Sequence, residues 1–417
     1  MLALGAPIAF SLAAAAIYYF VAVGGQPIQV LVQRMVGGVN SFALLALPLF
    51  ILAGNLMDRG GVAGKIMNFC HKLVSHLTGG MSIVTILSSV FFGAITGSGV
   101  AGTAAVSKMV GSNMEKRGYS RAFTAALLSG AGVLGMIIPP SVSMVVFGVA
   151  GNVSITGLLL GGILPGILTG GALIILSLII CKKRGYDSQE GRRSNGSELW
   201  SAFKEAFLSL LSPVIILGGI LGGVVTPTEA AVIAVVYAWF LGMFVYRKIT
   251  WRELPQILSE SVSSSAVIMF IMAVSSAFSW ILAKENVATI LADFFLSITQ
   301  NKYVLMLLIN VLLLILGCFM DAGGIIMILA PILVPIAMRY GINPIHFGVM
   351  FVLNLAIGGV TPPLGVTLIT SSRIIGVNVS DTLRDALFVV IAMVAALLLV
   401  MCVPDIVLLI PRLGGVR

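Results

Sequence analysis

The chain has 417 residues, 59% of them hydrophobic and only 9% charged, with a mean hydropathy of +1.12. A soluble domain carries about 25% charged residues, so this composition excludes a soluble globular enzyme and a disordered chain. The net charge of +9 does not point to nucleic acid, because the basic residues sit in short loops between apolar runs, where the positive-inside rule places them in the cytoplasm.

A crossing takes about 20 apolar residues, and the runs can be taken in chain order. Residues 1–20 are apolar without a basic leader, which predicts a retained crossing rather than a cleaved signal. Residues 7–23 and 40–57 are predicted to span. Residues 58–78 are amphipathic and carry Arg59, Lys65 and Lys72, as expected of an arm along the cytoplasmic surface. Residues 79–112 are too few for two full crossings with loops, yet both flanks are basic. This predicts a re-entrant hairpin with its tip at Thr96, Gly97, Ser98 and Gly99. Residues 121–150 span with a break over 135–141, and 157–181 return to a polar cytoplasmic linker. In the second half, residues 207–225, 228–246 and 262–283 span, and 284–301 lie on the outer surface. Residues 303–339 form a second hairpin with its tip at 320–324; 344–375 span with a break over 358–365; 385–410 end outside. The expected segments are therefore scaffold helices and inner arm (1–78), first hairpin, broken helix and last helix (79–181), linker (182–206), scaffold helices and outer arm (207–302), and second hairpin, broken helix and last helix (303–417).

The halves repeat each other weakly. Aligning Gly118 with Gly341, an offset of 223, brings Gly135 onto Gly358 and Pro139-Pro140 onto Pro362-Pro363. The loop charges swap between the halves. Residues 108–121 hold Lys108, Lys116, Arg117 and Arg121, against Arg339 alone in 331–344. The loop 24–39 holds Arg34 alone, against Arg247, Lys248 and Arg252 in 244–255. Opposite charge bias implies opposite orientation in the membrane. Inverted repeats are typical of secondary transporters with a site at the repeat interface. The expected fold is an all-α polytopic membrane protein of two inverted repeats, each with a re-entrant helical hairpin and a proline-broken helix.

No GxxxxGK[ST], HExxH or GxSxG pattern occurs, so no enzyme is expected and coupling energy must come from an ion gradient or a partner. The four cysteines and three histidines are scattered without metal-ligand spacing. Gly97, Ser98 and Gly99, followed by Gly102 and Thr103, form the strongest local signal. Unwound carbonyls and the Ser98 and Thr103 hydroxyls suit a small cation, and helix N-termini at the same tip suit a carboxylate. The competing reading is close helix packing through small residues. The two proline pairs free carbonyls in 135–138 and 358–361, or else merely kink the helices. Asp321 is either an intramembrane ion or proton site or the cap of the next half-helix. Glu229 suits a helix N-terminus, and Asn354 suits a structural bond to neighbouring backbone. Arg117 and Arg121 either steer anions or anchor topology, and Trp200, Trp239, Trp251 and Trp280 read as interfacial belt residues.

The stretches GAPIAF, FFGAITGSGVAGTAAV, GYSRAFTAALLSGAGVLGMIIPPS and MDAGG with TPPLG resemble the large membrane subunit of tripartite ATP-independent periplasmic (TRAP) transporters over essentially the whole chain. The resemblance implies an elevator-type importer, similar in fold to the ion transporter superfamily, in a bacterial inner membrane. It implies sodium as coupling ion, no cofactor, a separate small four-helix membrane subunit and a periplasmic substrate-binding protein. Substrates would be organic acids of the sialic acid or C4-dicarboxylate class. One sodium would lie among Gly97, Ser98, Gly135 and Ile138, and a second among Asp321, Gly324, Gly358 and Thr361. Substrate contacts are expected at Thr96, Gly99, Thr103, Pro140, Gly323 and Pro363. The family has a further apolar helix before GAPIAF, so the N-terminus departs from the pattern. A stand-alone carboxylate symporter and a channel are the alternatives; a channel would show polar residues along several helices rather than at tips and breaks.

Overall fold

The structure is a computed structural model that describes residues 8–23, 27–74, 76–187 and 195–416, and no strand occurs among them. Helix α1 (Ile8–Tyr18) continues as a π turn to Val23, and α2 (Ile28–Val39) follows. A 3-10 turn (Phe42–Leu45) enters α3 (Ala46–Arg59), then α4 (Val62–Val74). The first hairpin is α5 (Gly80–Thr96) and α6 (Gly99–Lys116). The first broken helix is α7 (Arg121–Gly132), a 3-10 turn (Val133–Met136) and α8 (Val142–Ala150), followed by α9 (Ile155–Gly161) and α10 (Ile163–Arg184). Helices α11 (Gly196–Leu221), α12 (Pro227–Phe240), α13 (Leu254–Lys284) and α14 (Val287–Ile298) lead to the second hairpin, α15 (Lys302–Gly317) and α16 (Ala322–Arg339). The second broken helix is α17 (Pro344–Val360) and α18 (Val366–Ile375), followed by α19 (Val379–Cys402) and α20 (Asp405–Leu413).

Seven helical stretches among the described residues are long and apolar enough to cross a membrane. Helices α14 and α15 meet at 117°, so the chain turns sharply from α14 into the second hairpin. The first halves of the broken helices, α7 and α17, are among the most buried elements. Within α7, the run from Phe123 to Gly132 is buried, and all of α17 from Ile345 to Val360 is buried except Gly359. Their aromatic residues meet there: Phe147 of α8 lies 5.1 Å from Phe351 of α17. Both hairpins pack on this centre, α6 on α7 and α15 on α17. A peripheral layer pairs α3 with α12, α2 and α1 with α13, and α4 with α11, and it touches the hairpins chiefly through α4 and α3 with α5 and through α13 with α16.

Three stretches differ from the sequence reading. The loop of residues 24–39 contains α2. Leu31 is buried against the peripheral layer with Val30 and Met35 beside it, and Gln29, Gln33 and Arg34 lie on the exposed side; exposed Val32 and Val36 mask this one-sided period. Twelve residues rise only about 18 Å, too little to span. The polar linker of residues 182–206 is largely helical at its ends. Helix α10 runs to Arg184 before Gly185 turns left-handed (φ 68°), and α11 starts at Gly196 with Glu198 in its first turn. The stretch 385–410 is two helices, because Pro404 supplies no N–H to extend α19 beyond Cys402.

Candidate functional site

The first hairpin turns at Gly97, whose φ of 63° closes α5. A Cβ there would lie 2.6 Å from the Pro140 carbonyl oxygen, so only glycine permits this approach. The Val142 N–H donates to the Gly97 carbonyl at 3.1 Å, which stitches the tip to the restart of the broken helix. Ser98 caps α6 by accepting from Ala101 N at 3.4 Å. Ser141 caps α8 by accepting from Met144 N at 3.2 Å, and its hydroxyl donates to the Met136 carbonyl at 2.5 Å. With Val142 N–H given to Gly97 and two prolines lacking N–H groups, the carbonyls of Ile138, Pro139 and Pro140 have no hydrogen-bond partner among the described residues.

The second hairpin turns at Asp321. Its carboxylate is exposed and caps α16 by accepting from Gly323 N at 2.9 Å. Thr361 donates its hydroxyl to the Ile357 carbonyl at 2.7 Å, and Thr367 donates to Gly359 at 2.6 Å. The Pro362 and Pro363 carbonyls have no partner among the described residues. Each hairpin crosses its broken helix at a glycine pair. A Cβ on Gly135 would lie 2.8 Å from Gly93 Cα, and one on Gly358 would lie 2.7 Å from Gly317 Cα.

These elements enclose a cavity of about 310 Å³. One wall is built from both tips: Thr96, Gly97, Ser98 and Gly99 of the first, and Met320, Asp321, Ala322 and Gly323 of the second. Met136, Val142, Gly359 and Thr367 bring in both breaks. The facing wall is peripheral: Gly54, Asn55 and Asp58 of α3, with Ser264, Ile268 and Ile271 of α13. Four helix starts (α6, α8, α16, α18) and four helix ends (α5, the turn after α7, α15, α17) reach the same space. Starts present N–H groups that attract anions, and ends present carbonyls that attract cations. The charged side chains in the wall are Asp58 and Asp321, and no Lys, Arg or His is among the lining residues.

Of the residues singled out in the sequence, Thr96, Gly97, Ser98, Gly99, Asp321 and Gly323 line the cavity. Gly135 and Gly358 sit behind it at the glycine crossings, and Ile138 packs its side chain over Gly166. Thr103 is fully buried, with its hydroxyl on the Gly99 carbonyl at 2.8 Å. Pro140 reaches the tip through its carbonyl. Gly324, Thr361 and Pro363 are not among the lining residues, and no hydrogen bond joins Asp321 to Gly358 or Thr361. Glu229 completes a capping box with Thr226. Asn354 donates to the Asn310 carbonyl at 2.9 Å and side-chain oxygen at 2.6 Å. Arg117 pairs with Asp187 and Arg121 with Glu115, away from the cavity. The sequence reading missed the peripheral wall. Asn55 and Asp58, two polar residues closing an apolar run, were the available signal; Asn55 bonds Ser261 of α13 at 2.7 Å.

Residues 1–406 match the family described as "Tripartite ATP-independent periplasmic transporter, DctM component". The chain belongs to this family. Among named relatives of the TRAP large permease, it is 40% identical to the sialic acid TRAP transporter large permease protein SiaM of Vibrio cholerae, over 98% of this chain and 95% of that protein. It is 33% identical to the C4-dicarboxylate TRAP transporter large permease protein DctM of Rhodobacter capsulatus, over 99% of this chain and 96% of that protein. It is 41% identical to the isethionate TRAP transporter permease protein DctMQ of Oleidesulfovibrio alaskensis, of which it spans 64%. Among solved structures, the Alcanivorax borkumensis YdaH transporter superposes with a TM-score of 0.60 over 91% of this chain and 90% of that one. At 15% identity that likeness concerns the fold alone.

Proposed function

We propose that the chain imports an organic acid of the sialic acid or C4-dicarboxylate class, driven by sodium, across a bacterial inner membrane. The observation that carries this reading is the convergence of four helix starts and four helix ends on one cavity whose only charged side chains, among the described residues, are Asp58 and Asp321. An acid anion entering that space meets no basic side chain. Its charge must be met by N–H groups of the helix starts and by a cation held near the helix ends. Freed carbonyls at 138–140 and 362–363 are hard oxygen donors suited to sodium. The relatives named above act on a sialic acid, a C4-dicarboxylate and isethionate, and an acidic group is common to all three. Sodium would bind first and order the two breaks, and substrate affinity would then rise by linkage.

The two halves act as inverted repeats in this reading, and the matched glycine crossings support it. Both hairpins and both broken helices form the moving body, and the peripheral layer with α4 and α14 forms the scaffold and arms. The cavity lies between them, as an elevator site would. A small four-helix subunit and a periplasmic binding protein complete the assembly.

Uptake by proteoliposomes tests this. The chain is reconstituted with its small subunit, the binding protein is added outside, and labelled sialic acid and succinate are offered with and without an inward sodium gradient. Uptake of one acid that needs both sodium and the binding protein is expected. Uptake driven by protons would overturn the sodium reading. Uptake without a binding protein would favour a stand-alone symporter.

A further inference from the structure

Residues 246–253 join α12 to α13 at the end of the peripheral layer that also carries α4. This connection is held firmly. Ile249 is buried, and the N–H groups of Lys248 and Ile249 donate to the Gly242 carbonyl at 2.9 and 3.1 Å. Glu253 accepts from the Thr250 N–H at 2.8 Å and the Thr250 hydroxyl at 2.9 Å. Those bonds draw its carboxyl below the usual range, and it forms no ion pair with the cations beside it among the described residues.

The consequence is three cations without a direct ion-pair partner. Arg247, Lys248 and Arg252 are exposed, and none of their side chains enters an ion pair, hydrogen bond or ring contact among the described residues. Two neighbouring cations, by contrast, are paired: Arg59 with Glu260 at 2.9 Å and Lys65 with Glu205 at 2.8 Å. Beside the three lies Trp251, 67% exposed and set edge-on to Trp239. Phe240 and Phe244 continue the exposed aromatic surface along α12. The spanning stretches end at Val245 and restart at Leu254, so the cations sit where an apolar wall meets the polar boundary. Interfacial aromatic residues and unpaired basic residues together recognise an acidic headgroup with its acyl chains alongside.

We propose that Arg247, Lys248 and Arg252, with Trp251, form a binding site for an anionic phospholipid of the adjacent leaflet. The headgroup supplies the direct ion-pair partner that the three side chains lack, and the acyl chains lie along Phe240 and Phe244.

The test uses the chain with its small subunit bound, in phosphatidylcholine vesicles. Tryptophan fluorescence is quenched by brominated phosphatidylglycerol or, at equal mole fraction, by brominated phosphatidylcholine. Each unpaired cation should enrich the acidic lipid about five-fold, so phosphatidylglycerol quenches more strongly, and added salt narrows the difference. R247Q/K248Q/R252Q should lose the preference while keeping its melting temperature, and R247K/R252K should keep it. Equal quenching by both lipids in the native complex would overturn the site, whether because the small subunit covers it or because the loop binds no lipid. A preference that persists in the triple glutamine variant would also overturn it.

Discussion

Ser129 of α7 and Thr367 of α18 meet hydroxyl to hydroxyl at 2.9 Å, joining the two broken helices where both are buried. Thr367 gives its own proton to the Gly359 carbonyl, so Ser129 is the donor in the pair. Thr367→Val would strand both Ser129 and the Gly359 carbonyl, costing about 1–3 kcal/mol. Ser129→Ala removes one donor from an already occupied hydroxyl and should cost less. The double variant should cost less than the two added together, which denaturation of the three proteins checks.

The glycine crossings make a sharper prediction. A methyl at Gly135 or Gly358 meets backbone at 2.8 and 2.7 Å, and backbone cannot swing aside as a side chain can. Gly135→Ala and Gly358→Ala should each destabilise by about 1–3 kcal/mol and lose most uptake. Gly218 in α11 has nothing within 4 Å of its added Cβ, so Gly218→Ala should leave stability unchanged or raise it by roughly 0.5–1 kcal/mol.

Asp321 separates a cap from a charge. Asparagine keeps the acceptor for Gly323 N, so Asp321→Asn should melt with the native protein, whereas Asp321→Ala should lose about 1 kcal/mol of capping. Because Asp321 lines the cavity, both variants should need more sodium for half-maximal uptake. A sodium titration of uptake, set beside thermal melts, distinguishes the two contributions.

Helix α4 carries a pH dependence whose sign follows from the surroundings of His71. His71 of α4, outside the spanning helices, lies 3.3 Å from Arg117, which pairs with Asp187 at 3.0 Å. Burial first, then Arg117 and Lys72, push the imidazole below its ordinary value, against a smaller opposing pull from Asp187. The unfolded arm therefore takes up a proton that the folded arm refuses once pH drops below about 6.5. This contribution is intact above that pH and declines below it. Melting temperatures between about pH 7 and about pH 5 should fall more for the native chain than for His71→Gln.

Much of the site is legible in the sequence because glycine and proline act locally. Gly97 is free to turn left-handed, and a proline pair inside a helix breaks it, so residue type together with segment length and flanking charge could place both tips and both breaks. The facing wall could not. Asn55, Asp58 and Ser264 reach the cavity through packing of α3 and α13 against the hairpins, and no local pattern encodes a contact between distant helices. Thr103 illustrates the same gap, since its register on α6 turns it towards Gly132 and not the cavity. Helix α2 was hidden for another reason: its packed face is narrow (Val30, Leu31 and Met35), and apolar Val32 and Val36 stand on the exposed side beside Gln29, Gln33 and Arg34, which blurs the period.

Asp293 of α14 pairs with Arg339 of the second hairpin at 3.1 Å, away from the cavity. The four native cysteines are free, so they can be replaced and the pair Asp293→Cys/Arg339→Cys introduced alone. Uptake is then measured in proteoliposomes before cross-linking, after complete bridging by a short bis-methanethiosulfonate linker, and after reduction. If substrate crosses because the hairpin moves against the scaffold arm, uptake is present when reduced, absent when cross-linked, and restored by reductant. Undiminished uptake by fully cross-linked protein would contradict a moving hairpin and the account built on it.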